Sequence, residues 1–91
     1  MPHYLICYDI KDRRRLAKIH REISRHALFV QYSVYYFQGE RETLDSVIGD
    51  LENLMDPLED DLRVYCIRSL ESAIRVGPSW LPEGIWLGGD V

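Results

Sequence analysis

An α+β domain of element order β-α-β-β-α-β is predicted by three features of this chain. Apolar runs rich in aromatic and β-branched residues open it, stand in its middle and return near residue 65. Two segments between those runs repeat their apolar residues at helical spacing. At 91 residues a single domain over 1–91 is expected, with a core at about 3–68 and a C-terminal tail at 69–91. This order is the ferredoxin-like arrangement, in which both helices cover one face of the sheet.

The first strand is read over residues 3–10. Tyr4, Ile6, Tyr8 and Ile10 fall on one side, and Leu5, Cys7 and Asp9 on the other. Both sides are largely apolar, so the strand is expected to be central and covered on both faces. Asp12 is placed to cap a helix over about 13–26, with Leu16, Ile19, His20, Ile23 and Ala27 as its buried stripe. Residues 28–37 have strand composition, and the polar break at Gln31 to Ser33 predicts a tight hairpin or bulge between two short strands. Gly39 closes that region. Leu44, Val47, Ile48, Leu51, Leu54, Met55 and Leu58 then give the cleanest helical period, which Pro57 stops near Asp56.

A turn at Glu59-Asp60-Asp61 leads to a strand over 62–68, and a short helical turn is expected over 69–75. Ile85-Trp86-Leu87 stands alone between glycines and reads as an extra C-terminal strand, stable only when docked. In this plan the second sheet face is left bare and the tail strand needs an edge. A face-to-face homodimer answers both needs.

Net charge is −4, but its distribution is uneven. Residues 1–38 carry seven Lys and Arg against three acids; residues 39–91 carry four Arg against twelve acids. A local basic face of this kind suits nucleic acid, while the acidic half suits solvent or a basic protein. Arg14, Lys18, Arg21 and Arg25 follow one helical row and form that face. The alternative is an ordinary solvated stripe. No run approaches the ~20 apolar residues that span a bilayer. The start, Met1-Pro2-His3, lacks a basic n-region, so a cytoplasmic protein with no membrane partner is expected. Cys7 and Cys66 lie in apolar runs without metal-ligand spacing and read as core, and the histidines have no such spacing either.

Asp9 ends an apolar strand and faces the basic segment Lys11-Asp12-Arg13-Arg14-Arg15. A carboxylate there must be paired, hydrated or metal-bound. One reading is a phosphate-handling site with a cation on Asp9; the other is that Asp9 merely begins a turn. Magnesium accepts one or two carboxylates plus phosphate oxygens. A two-fold axis would supply the second carboxylate from Asp9 of another copy. Arg14 or Arg15 would offset charge on the phosphate, and the Ser33 hydroxyl would orient a water or serve the turn.

These residues resemble the CRISPR-associated Cas2 family. The likeness rests on Tyr8-Asp9-Ile10 with Asp12 and Arg13-Arg14-Arg15, on Gln31-Tyr32-Ser33-Val34-Tyr35, and on Val64-Tyr65-Cys66-Ile67. It covers about residues 3–68, with the tail fitting loosely. The resemblance implies a ferredoxin-like homodimer that acts with the spacer integrase of CRISPR adaptation. It also implies metal-dependent cleavage of RNA or DNA, with Asp9 as the metal-binding and catalytic acid. Arg14, Arg15 and Lys18 fall on the family's basic helix residues, and Tyr8, Asp12 and Ser33 on supporting positions. Many relatives carry an arginine where this chain has Phe29. Other classes compatible with the same pattern are a non-catalytic DNA-binding adaptor of the integrase and a toxin-like ribonuclease of the same fold.

Overall fold

A computed structural model describes residues 1–69 and 71. Six elements follow in chain order: β1 (His3–Asp9), α1 (Arg13–Ile23), β2 (Leu28–Gln31), β3 (Val34–Gln38), α2 (Arg41–Glu52) and β4 (Asp61–Ile67). The strands form one antiparallel sheet in the order β2-β3-β1-β4. This is the ferredoxin-like plan. The extra strand expected at 85–87 and the turn over 69–75 lie outside the described residues, apart from Ser69 and Glu71. Among the described residues no helix is long and apolar enough to cross a membrane.

β1 is central because it can bury both sides. Ile6 and Tyr8 join Ile19 and Ile23 of α1 and Leu44, Val47 and Leu51 of α2 in the main core. Each such fully buried aliphatic side chain stabilises the fold by about 1.5–3 kcal/mol. The opposite face is not bare, contrary to expectation. Leu5, Cys7, Val34 and Ile67 are buried there, with Val30, Tyr36 and Tyr65 packed against them. Cys66, in contrast, is exposed. It lies on β4, an edge strand where solvent has access, so it is not the core residue that its apolar neighbours suggest.

Both helices end earlier than their apolar periods. After Ile23 the backbone tightens, with Arg25 N–H donating to the Glu22 carbonyl and His26 N–H to that of Ile23. Ser24 Oγ donates to the His20 carbonyl at 2.7 Å, which competes with helix continuation. Beyond α2, Leu54 and Met55 make the same three-residue turns. Their side chains still pack on the main core. The apolar period therefore tracks burial beyond the point where α-helical bonding stops.

The hairpin falls at the predicted place. Gln31 pairs with Val34 across Tyr32 and Ser33, and a bulge separates Phe29 from Gln31. Ser33 takes φ of 65°, a left-handed conformation few non-glycine residues adopt. Its carbonyl accepts from the backbone N–H of Tyr8 at 3.1 Å, which ties the turn to the end of β1.

Candidate nucleic-acid interface

Burial along β1 ends abruptly. Tyr8 is buried in the main core, and the next residue, Asp9, projects a carboxylate that is 65% exposed. Asp9 is thus not the buried acid that its apolar run suggests, because it lies one step past the packed part of the strand. Lys11 Nζ donates to Asp9 Oδ2 at 3.0 Å and is itself mostly exposed. That contact raises the lysine's pKa above its ordinary value. An ion pair so open to water holds its partners loosely. Across the ladder Asp9 is the register partner of Asp61, which accepts from Arg63 Nε at 2.8 Å. Sequence reading put Asp61 in a turn and missed this pairing, which only the strand register makes visible.

The next acid has a local role. Asp12 caps α1 as expected, accepting from the backbone N–H of Arg15 at 3.0 Å. The Arg15 side chain turns toward the loop before β4. Its Nε donates to Asp60 Oδ2 at 2.8 Å, and its Nη2 to Asp60 Oδ1 at 3.2 Å and Glu59 Oε1 at 3.1 Å. Asp60 is enclosed and also accepts backbone N–H bonds from Lys11 and Asp56, at 2.9 and 2.8 Å. The Arg15 hydrogen bond holds the Asp60 carboxyl well below the usual carboxylate range, and the backbone donors add to the shift. A guanidinium engaged in this way is committed to the fold, so the expectation of Arg15 as a phosphate ligand is not supported by its placement. The local signal was its position four residues before Ile19, at the edge of the buried stripe.

Arg14, Lys18 and Arg21 are different. All three are exposed on α1 and make no ion pair among the described residues. Arg25 continues the row but reaches Glu22 Oε1 at 3.4 Å. Glu22 also receives His26 Nε2 at 3.0 Å. With Asp50 of α2, these two residues bring three ligand-type atoms within 4.8 Å of one another, a grouping that sequence spacing did not predict.

Tyr8 and Ser33 act on the frame. The Tyr8 ring stacks against Tyr35 at a centroid distance of 6.2 Å. Burial first, then the neighbouring Tyr35 and Tyr32, push its phenol above the ordinary tyrosine range, so it stays protonated. Tyr35 Oη also meets His20 Nδ1 at 2.6 Å and Ser24 Oγ at 3.2 Å. Cys7 is buried, and desolvation pushes its thiol up to about 12, so no thiolate is on offer there.

Comparison with known proteins gives a consistent result. The family model described as CRISPR associated protein Cas2 matches residues 1–72. A curated protein of Nitrosomonas europaea, named CRISPR-associated endoribonuclease Cas2 1, is 43% identical over 89 residues, spanning 97% of this chain and 85% of that protein. Among solved structures, Streptococcus pyogenes Cas2 superposes with a TM-score of 0.69 at 20% identity, covering 78% of this chain and 92% of the other; it shares the fold. A chain from a partial Cas6–RT–Cas1–Cas2 complex superposes with a TM-score of 0.61 at 26% identity, covering 76% of each chain.

Proposed function

The chain belongs to the CRISPR-associated Cas2 family, and from that premise we propose that it is a cytoplasmic nuclease of CRISPR adaptation. It binds nucleic acid through the open row of α1 and cuts phosphodiester bonds with a divalent metal at Asp9. The observation that carries the reading is the state of Asp9: its carboxylate is exposed and loosely paired, while Asp12 caps α1 and Asp60 is enclosed and tied to Arg15. The name of the Nitrosomonas europaea relative supports a nuclease.

The residues fit a magnesium-like ion. A hard cation of this kind keeps several waters and takes one or two carboxylates. Asp9 offers one that is solvated and freed by displacing a single exposed lysine. Asp9 would hold the ion, and Asp61, its register partner on β4 and paired with the exposed Arg63, would offer a second carboxylate. When bound, such a cation neutralises charge on a phosphate and lowers the pKa of a water. Arg14, Lys18 and Arg21 hold the backbone of the polynucleotide without reading bases. The Ser33 carbonyl, through Tyr8 N–H, fixes the strand end from which Asp9 projects.

Two copies pack through the helix-free face, in this reading, over the half-buried Val30, Tyr36 and Tyr65 that lie against Leu5, Cys7, Val34 and Ile67. Asp9 projects on the same side of β1, so a two-fold axis there brings two such acids toward each other. A monomer by light scattering at micromolar concentration overturns the dimer. The central test is cleavage. Purified protein should cut RNA or DNA with magnesium, stop with a chelator, and lose at least ~100-fold in rate on Asp9→Asn. Cleavage that survives the substitution removes Asp9 from the reaction.

A second reading is a non-catalytic adaptor that holds DNA for the integrase. It is favoured by the relative found within a complex that contains Cas1. Under it, Asp9→Asn preserves spacer uptake, while charge reversal at Arg14 and Lys18 blocks it.

A further inference from the structure

We infer that the cleft between α1 and the β2–β3 turn seats one unpaired nucleobase of a single-stranded polynucleotide. The inference rests on the proposed nucleic-acid function and names which form of substrate that site selects. The cleft has a volume of about 350 Å³. That is the small end of ligand sites, room for one base with its sugar but not for a folded element. Four rings line it: Tyr8, His20, Phe29 and Tyr32. Arg13 also lines it.

The rings differ in how they are held. Tyr8 stacks on Tyr35, and His20 is fixed by its bond to the Tyr35 hydroxyl. Phe29 and Tyr32 are 62% and 75% exposed. Phe29 touches Tyr35 edge-on at 5.7 Å, leaving much of its surface in water. Exposed rings beside a rigid aromatic wall form a stacking platform, because every base offers a flat π surface. Arg13 adds a planar cation suited to the same surface.

Charge complementarity decides the occupant. Arg13 is followed on α1 by Arg14, Lys18 and Arg21, which are exposed and lack ion pairs among the described residues. An apolar protein segment would use the rings and leave those cations without purpose. A polynucleotide uses both, with phosphates along α1 and a base turned into the cleft. A base inside a duplex is stacked and paired and does not reach the rings, so the cleft favours single strands.

The test measures binding of labelled oligoadenylate and of a duplex of equal length to the full chain, by fluorescence anisotropy at one fixed salt concentration. Phe29→Ala and Tyr32→Ala should each weaken single-strand binding about 5- to 150-fold, the range for one lost stacking partner, and leave duplex binding unchanged. Phe29→Trp should retain single-strand affinity. A fluorescent adenine analogue in the oligonucleotide should be quenched by wild type and not by Phe29→Ala. Unchanged single-strand affinity in both alanine variants, with Arg14→Gln weakening both substrates, overturns the cleft and leaves the basic row standing. Wild type that binds neither polymer overturns both readings. A change in oligomeric state on Phe29→Ala identifies the cleft as a protein contact and overturns it.

Discussion

Asp9 and Asp60 stand at the same end of the sheet, one closing β1 and the other just before β4. Lys11 touches both, through Nζ to Asp9 and through its backbone N–H to Asp60. Asp9 is 65% exposed and has one soft partner. Asp60 has no exposed side-chain surface and accepts from Arg15, Lys11 and Asp56. The difference separates a carboxylate that builds the fold from one free to serve a ligand. A saturated, enclosed acid has no lone pair to spare and cannot be removed without orphaning its donors. An open acid can be removed at little structural cost, and a metal can displace its partner.

The largest structural effect should come from Asp60→Ala. It removes two of the three hydrogen bonds of the Arg15 guanidinium and orphans two backbone N–H groups together, so Tm should fall by about 10 °C or more. Asp9→Asn should leave Tm nearly unchanged while abolishing cleavage. The acid also predicts a pH signature. The folded-state pKa of Asp60 lies below its unfolded value, chiefly through the Arg15 hydrogen bond. Its contribution is therefore present above the unfolded carboxyl pKa of about 4 and is lost as pH falls through the folded value. The Tm gap between wild type and Asp60→Ala should stay constant near neutrality and shrink from about pH 4 downward. A gap that widens in acid breaks the comparison.

The same contrast runs between neighbours on α1. Arg14 and Arg15 are adjacent in one basic run, yet one is open and the other is tied to the β4 loop. Arg14→Gln and Lys18→Gln should each lower the salt slope of polynucleotide binding by about 1, with Tm little changed. Arg15→Gln should do the reverse, lowering Tm and leaving the slope. If Arg15→Gln reduces the slope by as much as Arg14→Gln, its guanidinium leaves Asp60 to meet phosphate.

How much of this was legible without coordinates follows from the range of each interaction. The strands, both helices, the Asp12 cap and the turn at Tyr32–Ser33 are set by neighbours within a few residues, and periodicity finds them. The helix ends were overrun because Leu54 and Met55 stay buried after the α-helical bonds stop. The Arg15–Asp60 pair joins residues 45 apart, and the Asp9–Asp61 pairing depends on the β1–β4 register. Composition has no term for either. The cleft was missed for a similar reason: Tyr8, His20 and Phe29 belong to three elements, and each reads alone as core.

The smallest effect should come from the side chain that Asp9 has to lose. Lys11→Ala removes the ammonium on Asp9 but keeps the backbone N–H on Asp60. The pair is open to water on both sides, so Tm should move by no more than about 2 °C. Asp9 is then unpaired, and a cation no longer has a lysine to displace. Half-maximal cleavage should need less magnesium, by about fivefold at most. Measuring Tm and the magnesium dependence on one variant separates the two roles. A large Tm loss would make the Lys11–Asp9 pair part of the frame, and the contrast with Asp60 would fail. An increased magnesium requirement would mean that Lys11 assists the substrate phosphate instead of guarding the acid.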